Sequence, residues 1–133
     1  MERGMVMAGK EIRDIIEDYL EAYNSFGIER MVELLHTDII FRNISNRETT
    51  TETVGIEAFR KLAEQSSTMF SSRCQTITDY SVINDKIKVG IDYVGILAVD
   101  FPNGLHIGDR LQLKGESKFE IKEGKISLIE DYS

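Results

Sequence analysis

The sequence contains one cysteine, one proline and no tryptophan among its 133 residues. A lone Cys74 cannot form an intramolecular bridge, and no Cys/His spacing suits a metal, so disulfide scaffolds and zinc modules are excluded. Positive charge is scarce as well: 16 Lys+Arg stand against 23 Asp+Glu, for a net charge of −7. A chain of that balance, with no cluster of basic residues, repels a phosphate backbone, which argues against nucleic-acid binding. Apolar runs reach only four or five residues, against the roughly 20 that span a bilayer. The N-terminus also lacks a signal-peptide core. These absences lead to the expectation of a soluble, cytoplasmic protein without nucleic-acid or membrane partners, metal or cofactor.

What is present suits one globular domain: 41% of residues are hydrophobic and 29% charged. A chain this long buries roughly two-thirds of its unfolded-state surface and needs no staple. Residues 1–10, MERGMVMAGK, have no periodicity and are expected to be a flexible tail ahead of a single domain over 11–133.

Ile12, Ile15, Ile16, Tyr19, Leu20, Tyr23 and Phe26 recur at i, i+3, i+4, i+7 and predict one helix ending at Gly27. A shorter helix carries Ile28, Met31, Val32, Leu34 and Leu35, and Ile39-Ile40-Phe41 reads as a strand. Ser45–Thr53, polar and Thr-rich, is a loop or a short edge strand. A third amphipathic helix follows Gly55, with Glu57 in its favourable first turn.

Everything after Ser72 has the pattern of strands. Asn84-Asp85, Pro102-Asn103-Gly104 and Glu123-Gly124 predict tight connections, because these residues tolerate positive φ or, for proline, fix it. The implied registers place Val82 opposite Ile87, Phe101 opposite Leu105 and Ile121 opposite Ile126. Across the middle pair, Asp92 meets Lys114 and Lys86 meets Glu120, against one repulsive pair, Lys88 with Lys118. One face then carries Thr78, Tyr80, Val82, Val89, Ile91, Tyr93, Leu97, Leu111, Leu113, Ser117, Phe119 and Ile121 and packs under the helices. The other carries Lys88, Asp92, Arg110, Lys114, Glu116, Lys118 and Glu120. Val94, Ile96 and Ala98 are apolar on that polar face with no helix left to cover them, so a second copy of the chain is expected to pack there as a homodimer.

Two helices, a strand, a third helix and a long meander ending in GKISLIEDY form an order that resembles the nuclear transport factor 2-like superfamily, and within it the SnoaL-like and ketosteroid-isomerase-like proteins. The resembling segments are EDYLEAYNSFGIERMVELLHTDIIF at 17–41, VGIEAFRKL at 54–62 and KGESKFEIKEGKISLIEDY at 114–132. The resemblance implies an α+β fold in which a cone-shaped, curved antiparallel sheet wraps around three helices. It also implies a pocket in the wide end of the cone and, commonly, a homodimer built on the outer sheet face. Members include isomerases, cyclases, hydrolases and non-catalytic binders, so fold alone leaves function open.

In the steroid-isomerase branch a carboxylate on the first strand moves a proton, while a tyrosine and a protonated acid hold the oxyanion. By resemblance these positions fall on Asn43, Tyr19 and Ser117. An amide accepts no proton at pH 7, so steroid isomerisation is not expected. The epoxide-hydrolase branch sets an arginine and an aspartate two residues apart on a strand. Here Asp109 and Arg110 are adjacent and point to opposite faces, and Asp109 is expected near a rim or loop.

The last strand offers the remaining acid. With a regular Glu123-Gly124 turn, Glu130 stands opposite Ser117 and faces the helices while Asp131 faces out; one bulge exchanges them. A carboxylate buried there has a raised pKa and serves as a general acid or base. His36 is expected to interact with a helix terminus and His106 to be exposed. Neither has a Ser or Cys partner at a nucleophilic spacing. Cys74 falls on the inward phase of its strand as a small core residue, and Tyr93 can bring its hydroxyl to a pocket mouth.

Two functional readings follow. One is a cofactor-free isomerase, cyclase or hydrolase acting by proton transfer through Glu130 or Asp131 on an apolar small molecule. The other is a non-catalytic dimeric protein that binds such a ligand through Tyr19, Asn43, Tyr93 and Ser117.

Overall fold

The structure is a computed structural model and describes residues 9–133. Its elements are α1 (Gly9–Asn24), α2 (Ile28–Glu33), β1 (Leu35–Ser45), β2 (Glu48–Val54), α3 (Ile56–Ser67), β3 (Phe70–Ile83), β4 (Lys86–Leu97), β5 (Arg110–Lys122) and β6 (Lys125–Tyr132). Gly9 and Lys10 open α1, two residues earlier than expected, and the rest of the expected tail, 1–8, lies outside the described residues. No described helix is long and apolar enough to cross a membrane.

Three helices pack on one side of a curved six-stranded sheet of order β2-β1-β6-β5-β4-β3. Ile16, Tyr19 and Leu20 of α1, Met31 of α2 and Phe59 and Ala63 of α3 form one core with Ile87, Val89, Ile91, Phe119, Ile126 and Ile129 of the sheet. The sheet departs from the expected antiparallel one at a single pair of strands. β1 and β6 run parallel, because the chain between them makes a long crossover through α3 and the meander. The sheet is open, with β2 and β3 as its edges. The Thr-rich segment forms edge strand β2, joined to β1 by an Asn46-Arg47 turn whose φ values of 52° and 68° suit a two-residue hairpin. A polar, short edge suits a strand that has one side unpaired.

The registers read from the turns are those observed: Val82 pairs with Ile87, the Phe101 N–H donates to the Leu105 carbonyl at 2.8 Å, and Ile121 pairs with Ile126. Both Asn84 and Asp85 take positive φ, as do Glu123 and Gly124. Asp92–Lys114 and Lys86–Glu120 form ion pairs of 3.0 and 2.6 Å on the outer face, and Lys88 turns from Lys118 to Glu116 at 3.7 Å.

Bulges, three of which bear on the site, change which side chains face the helices. Thr78 is an extra residue between Ile77 and Asp79 on β3, so the phase reverses along that strand. Cys74 and Thr78, expected inward, are therefore exposed, while Arg73, Gln75 and Ile77 face the helices. Gly90 makes room for the bulge: a Cβ there would meet Thr78 Oγ1 at 2.8 Å. Ser127 is an extra residue on β6 and shifts its later pairing with β5 by one. Thr50 is a third, on β2 opposite Asn43. Val82 and Leu113, also expected under the helices, are 51% and 46% exposed, because Val82 lies near the far end of β3 and Leu113 sits on the wall of an open cavity. Leu35, assigned above to the second helix, instead opens β1.

Candidate functional site

Between the helices and the concave sheet face is a cavity of about 470 Å³. Tyr19, Leu20 and Tyr23 line it from α1, Phe59, Leu62 and Ala63 from α3, and Phe41, Ile91, Leu111 and Phe119 from the sheet. Aromatic and aliphatic side chains stand among polar ones in its lining. Two sets of its polar groups are joined by hydrogen bonds.

The first set lies in one row across β1, β6 and β5, where Asn43 pairs with Asp131 and Asp131 with Ser117. Ser117 Oγ donates to Asp131 Oδ1 at 2.7 Å. Burial pushes the Asp131 carboxyl from its ordinary 3.8 up to about 6, and the Ser117 hydrogen bond only partly opposes that. Among the described residues no cation pairs with it. Asn43 lines the cavity while its Nδ2 donates to Thr50 Oγ1 at 2.9 Å, on the bulge of β2. Tyr19 is buried close by, in an edge-to-face contact with Phe119 at 6.1 Å. Burial first, and the Asp131 charge second, hold its hydroxyl well above the usual range, so it remains a proton donor.

Glu130, one residue away, faces the opposite side. Its Oε2 accepts from Arg42 Nη1 at 2.8 Å and its Oε1 from the Tyr132 hydroxyl at 2.8 Å. Burial raises its carboxyl, and these two hydrogen bonds outweigh burial and hold it below the ordinary range. The bulge at Ser127 thus selects Asp131 as the inward acid, and the regular-turn alternative, with Glu130 inward, is overturned.

The second set lies toward the C-terminal end of α1. The hydroxyls of Tyr23 and Tyr93 are 3.0 Å apart. Arg73, 5% exposed, donates from Nε to the Tyr23 carbonyl at 2.9 Å and lays its guanidinium 3.7 Å from the Tyr23 ring centre and 4.5 Å from that of Phe26. Its two terminal nitrogens are buried with no hydrogen-bond partner among the described residues. Asn24 adds a second tie between α1 and β3, through the backbone N–H and C=O of Gln75 at 2.7 and 3.2 Å.

The structure therefore brings Tyr19, Asn43, Tyr93, Ser117 and Asp131 to one cavity and leaves Glu130 outside it. Sequence reasoning passed over Arg73 and gave Tyr23 only a core role. Strict alternation back from Tyr80 puts Arg73 on the solvent side; the available signal of a reversal was Gly90 in the middle of the facing strand. His36 is the second residue of β1. Its Nδ1 accepts from the Asp38 N–H at 3.0 Å, which leaves Nε2 to donate to Glu123 at 2.6 Å, away from the cavity. His106 is exposed, and Asp109 is a loop residue whose carboxylate accepts from the His106 N–H at 2.8 Å.

No family model and no curated protein sequence matches the chain. Solved structures do. A Catenulispora acidiphila protein of ketosteroid-isomerase-like fold aligns over 90% of this chain and 84% of its own, with a TM-score of 0.72 at 14% identity. The chain has a ketosteroid-isomerase-like fold. IdmH of Streptomyces antibioticus, a candidate polyketide cyclase, is similar over 90% of this chain and 88% of its own (TM-score 0.73, 17% identity). A Mycobacterium tuberculosis epoxide hydrolase of the LEH-like kind is similar over 92% and 82% (0.73, 16%). At such identities the likeness is one of fold, and function rests on the residues above.

Proposed function

We propose that the chain is a cofactor-free proton-transfer enzyme acting on an apolar, carbonyl-bearing small molecule, with Asp131 as the base. The observation that carries this reading is a desolvated carboxylate on the cavity wall, ordered by Ser117, unpaired with any cation among the described residues and raised to about 6. Such a group is mostly ionised at pH 7 yet close enough to neutrality to accept a proton readily. Asp131 takes a proton from the carbon next to the ligand carbonyl, and the C–H electron pair moves onto the carbonyl oxygen to give an enolate. Return of the proton to another carbon isomerises the ligand; attack of the enolate on an internal electrophile cyclises it. Tyr19, Asn43 and Tyr93 orient the ligand's oxygens, and the aromatic and aliphatic walls hold its body. That some fold relatives are candidate polyketide cyclases and one an epoxide hydrolase agrees with chemistry of this class.

The test requires no knowledge of the natural substrate. Deuterium exchange at the activated CH₂ of 2-tetralone and related bicyclic ketones in D₂O, followed by proton NMR, reads the first step alone. Wild-type protein is expected to accelerate exchange, and Asp131→Asn to abolish the acceleration. Exchange across the panel no faster than buffer, or equal rates in the variant, contradicts the proposal and leaves the binding-protein reading.

The same reading includes a homodimer through the outer sheet face, where Val94, Ile96 and Ala98 interrupt a surface of ion pairs. Ile96→Lys is expected to convert a dimer to a monomer in light scattering, and an unchanged mass contradicts the placement.

A further inference from the structure

The proton-transfer reading leaves one buried charge unused. Arg73 has no carboxylate partner among the described residues, although a buried guanidinium is costly unless its charge is compensated. Its partial compensation comes from the carbonyl end of α1, through the 2.9 Å bond to the Tyr23 oxygen, and from two aromatic faces. The surroundings are built to keep it there. Phe26 sits at φ 60°, a left-handed position that helix ends usually give to glycine, with its N–H bonded to the Tyr23 carbonyl and the Gly27 N–H to Ala22. A bulky side chain in that region carries strain, and the geometry it secures is the Phe26 ring against Arg73.

The Tyr23–Tyr93 pair in front of Arg73 has a hydrogen to spare. Two phenols 3.0 Å apart share one proton between their oxygens, so the second proton is free to donate elsewhere. No acceptor stands against either hydroxyl among the described residues. Burial holds Tyr93 protonated, and the Arg73 charge works in the opposite sense on both Tyr93 and Tyr19, so its field reaches the cavity. A cation on the face of the Tyr23 ring withdraws electron density from that phenol and strengthens it as a donor. Both tyrosines and Arg73 line the cavity.

We propose that the Tyr23–Tyr93 hydroxyl pair, backed by Arg73, is a binding corner for an anionic oxygen, and that the ligands of this cavity are apolar molecules bearing a weakly acidic oxygen. Arg73 acts as a positioning residue, through the tyrosines. The proposal builds on the proton-transfer reading, since an enolate oxygen formed there is such a group, but the corner also recognises a ligand that is anionic from the start.

Two probes of equal shape separate charge recognition from fit: 2-naphthoate, an anion at pH 7, and its neutral amide. NMR titration of intact protein is expected to show naphthoate binding about tenfold or more tightly than the amide, as a charged hydrogen bond implies. Arg73→Gln is expected to reduce that ratio to near one, and Arg73→Lys to restore part of it. A purely structural role for Arg73 would weaken both probes together and leave the ratio unchanged. If the Arg73 variants do not fold, Tyr23→Phe/Tyr93→Phe keeps both rings and the Arg73 bond to the Tyr23 carbonyl, and is expected to remove the preference as well. Asp131→Asn is expected to keep or increase the preference while losing exchange activity, so failure of the base and failure of the corner give different results. Equal affinities in the wild type, no saturable naphthoate binding, or a ratio that survives both Arg73→Gln and the double tyrosine variant overturns the proposal.

Discussion

Glu130 and Asp131 are neighbours on one strand, yet their carboxyls occupy opposite electrostatic conditions. Glu130 faces out to Arg42 and Tyr132 and is held below its ordinary range; Asp131 faces the cavity, accepts from the Ser117 hydroxyl and rises to about 6. What separates them is the 180° reversal between successive residues of a strand, with partners arranged on one side and apolar walls on the other. A cation on the wrong side of the sheet would undo the difference, which is why the sparse positive charge of this chain is informative. Arg42 serves Glu130 and Glu52, and Arg73 is turned toward tyrosines rather than toward Asp131.

The sharpest way to break the comparison is to neutralise each carboxyl in turn. Asp131→Asn is expected to lower ketone-exchange activity by roughly 10²–10⁴, whereas Glu130→Gln leaves it within about threefold of wild type, because Glu130 does not reach the cavity. Equal losses in the two variants would erase the distinction.

Stability should separate them next, in opposite directions. Asp131 has a folded-state pKa above its unfolded one, so folding favours its neutral form; its contribution is fully present below pH 4 and lost as pH rises through about 6. Asp131→Asn, which keeps the Ser117 hydrogen bond, is therefore expected to be more stable than wild type by roughly 2–3 kcal/mol at pH 7.5. The gain disappears below pH 4 in denaturant titrations. Glu130 is depressed, so its contribution is present above the ordinary glutamate range and lost as pH falls. Glu130→Gln is expected to cost about 1 kcal/mol at pH 7, since it weakens the charged bond to Arg42.

A smaller effect tests Ser117. Its hydroxyl favours the ionised form of Asp131, so Ser117→Ala should raise the Asp131 pKa further and move the acid limb of any pH–rate profile upward. A limb that stays in place would remove Ser117 from the site.

Much of the fold was legible because the turns carry their own chemistry. Asn84-Asp85 and Glu123-Gly124 fix two hairpins, and with them the facing of Val89, Ile91 and Phe119. The bulges were not legible to the same degree. An inserted residue such as Thr78 or Ser127 costs little and looks like its neighbours, yet each reverses the side chains beyond it up to the next irregularity. That reversal hid Arg73, misplaced Cys74, and left Glu130 and Asp131 as alternatives. Side-chain facing was therefore legible where it depends on unbroken alternation, as at Ser117 and Tyr93, and left undecided or missed beyond a bulge. The parallel pairing of β1 with β6 also escaped, since neither strand carries a local sign of which partner it takes across the crossover.

The most direct test of the site is a carboxyl ¹³C NMR titration that follows Glu130 and Asp131 in the same sample. Asp131 is expected to titrate near 6 and Glu130 below the ordinary glutamate range. Both groups titrating near 4, or Glu130 titrating above Asp131, would contradict a desolvated base on the cavity wall.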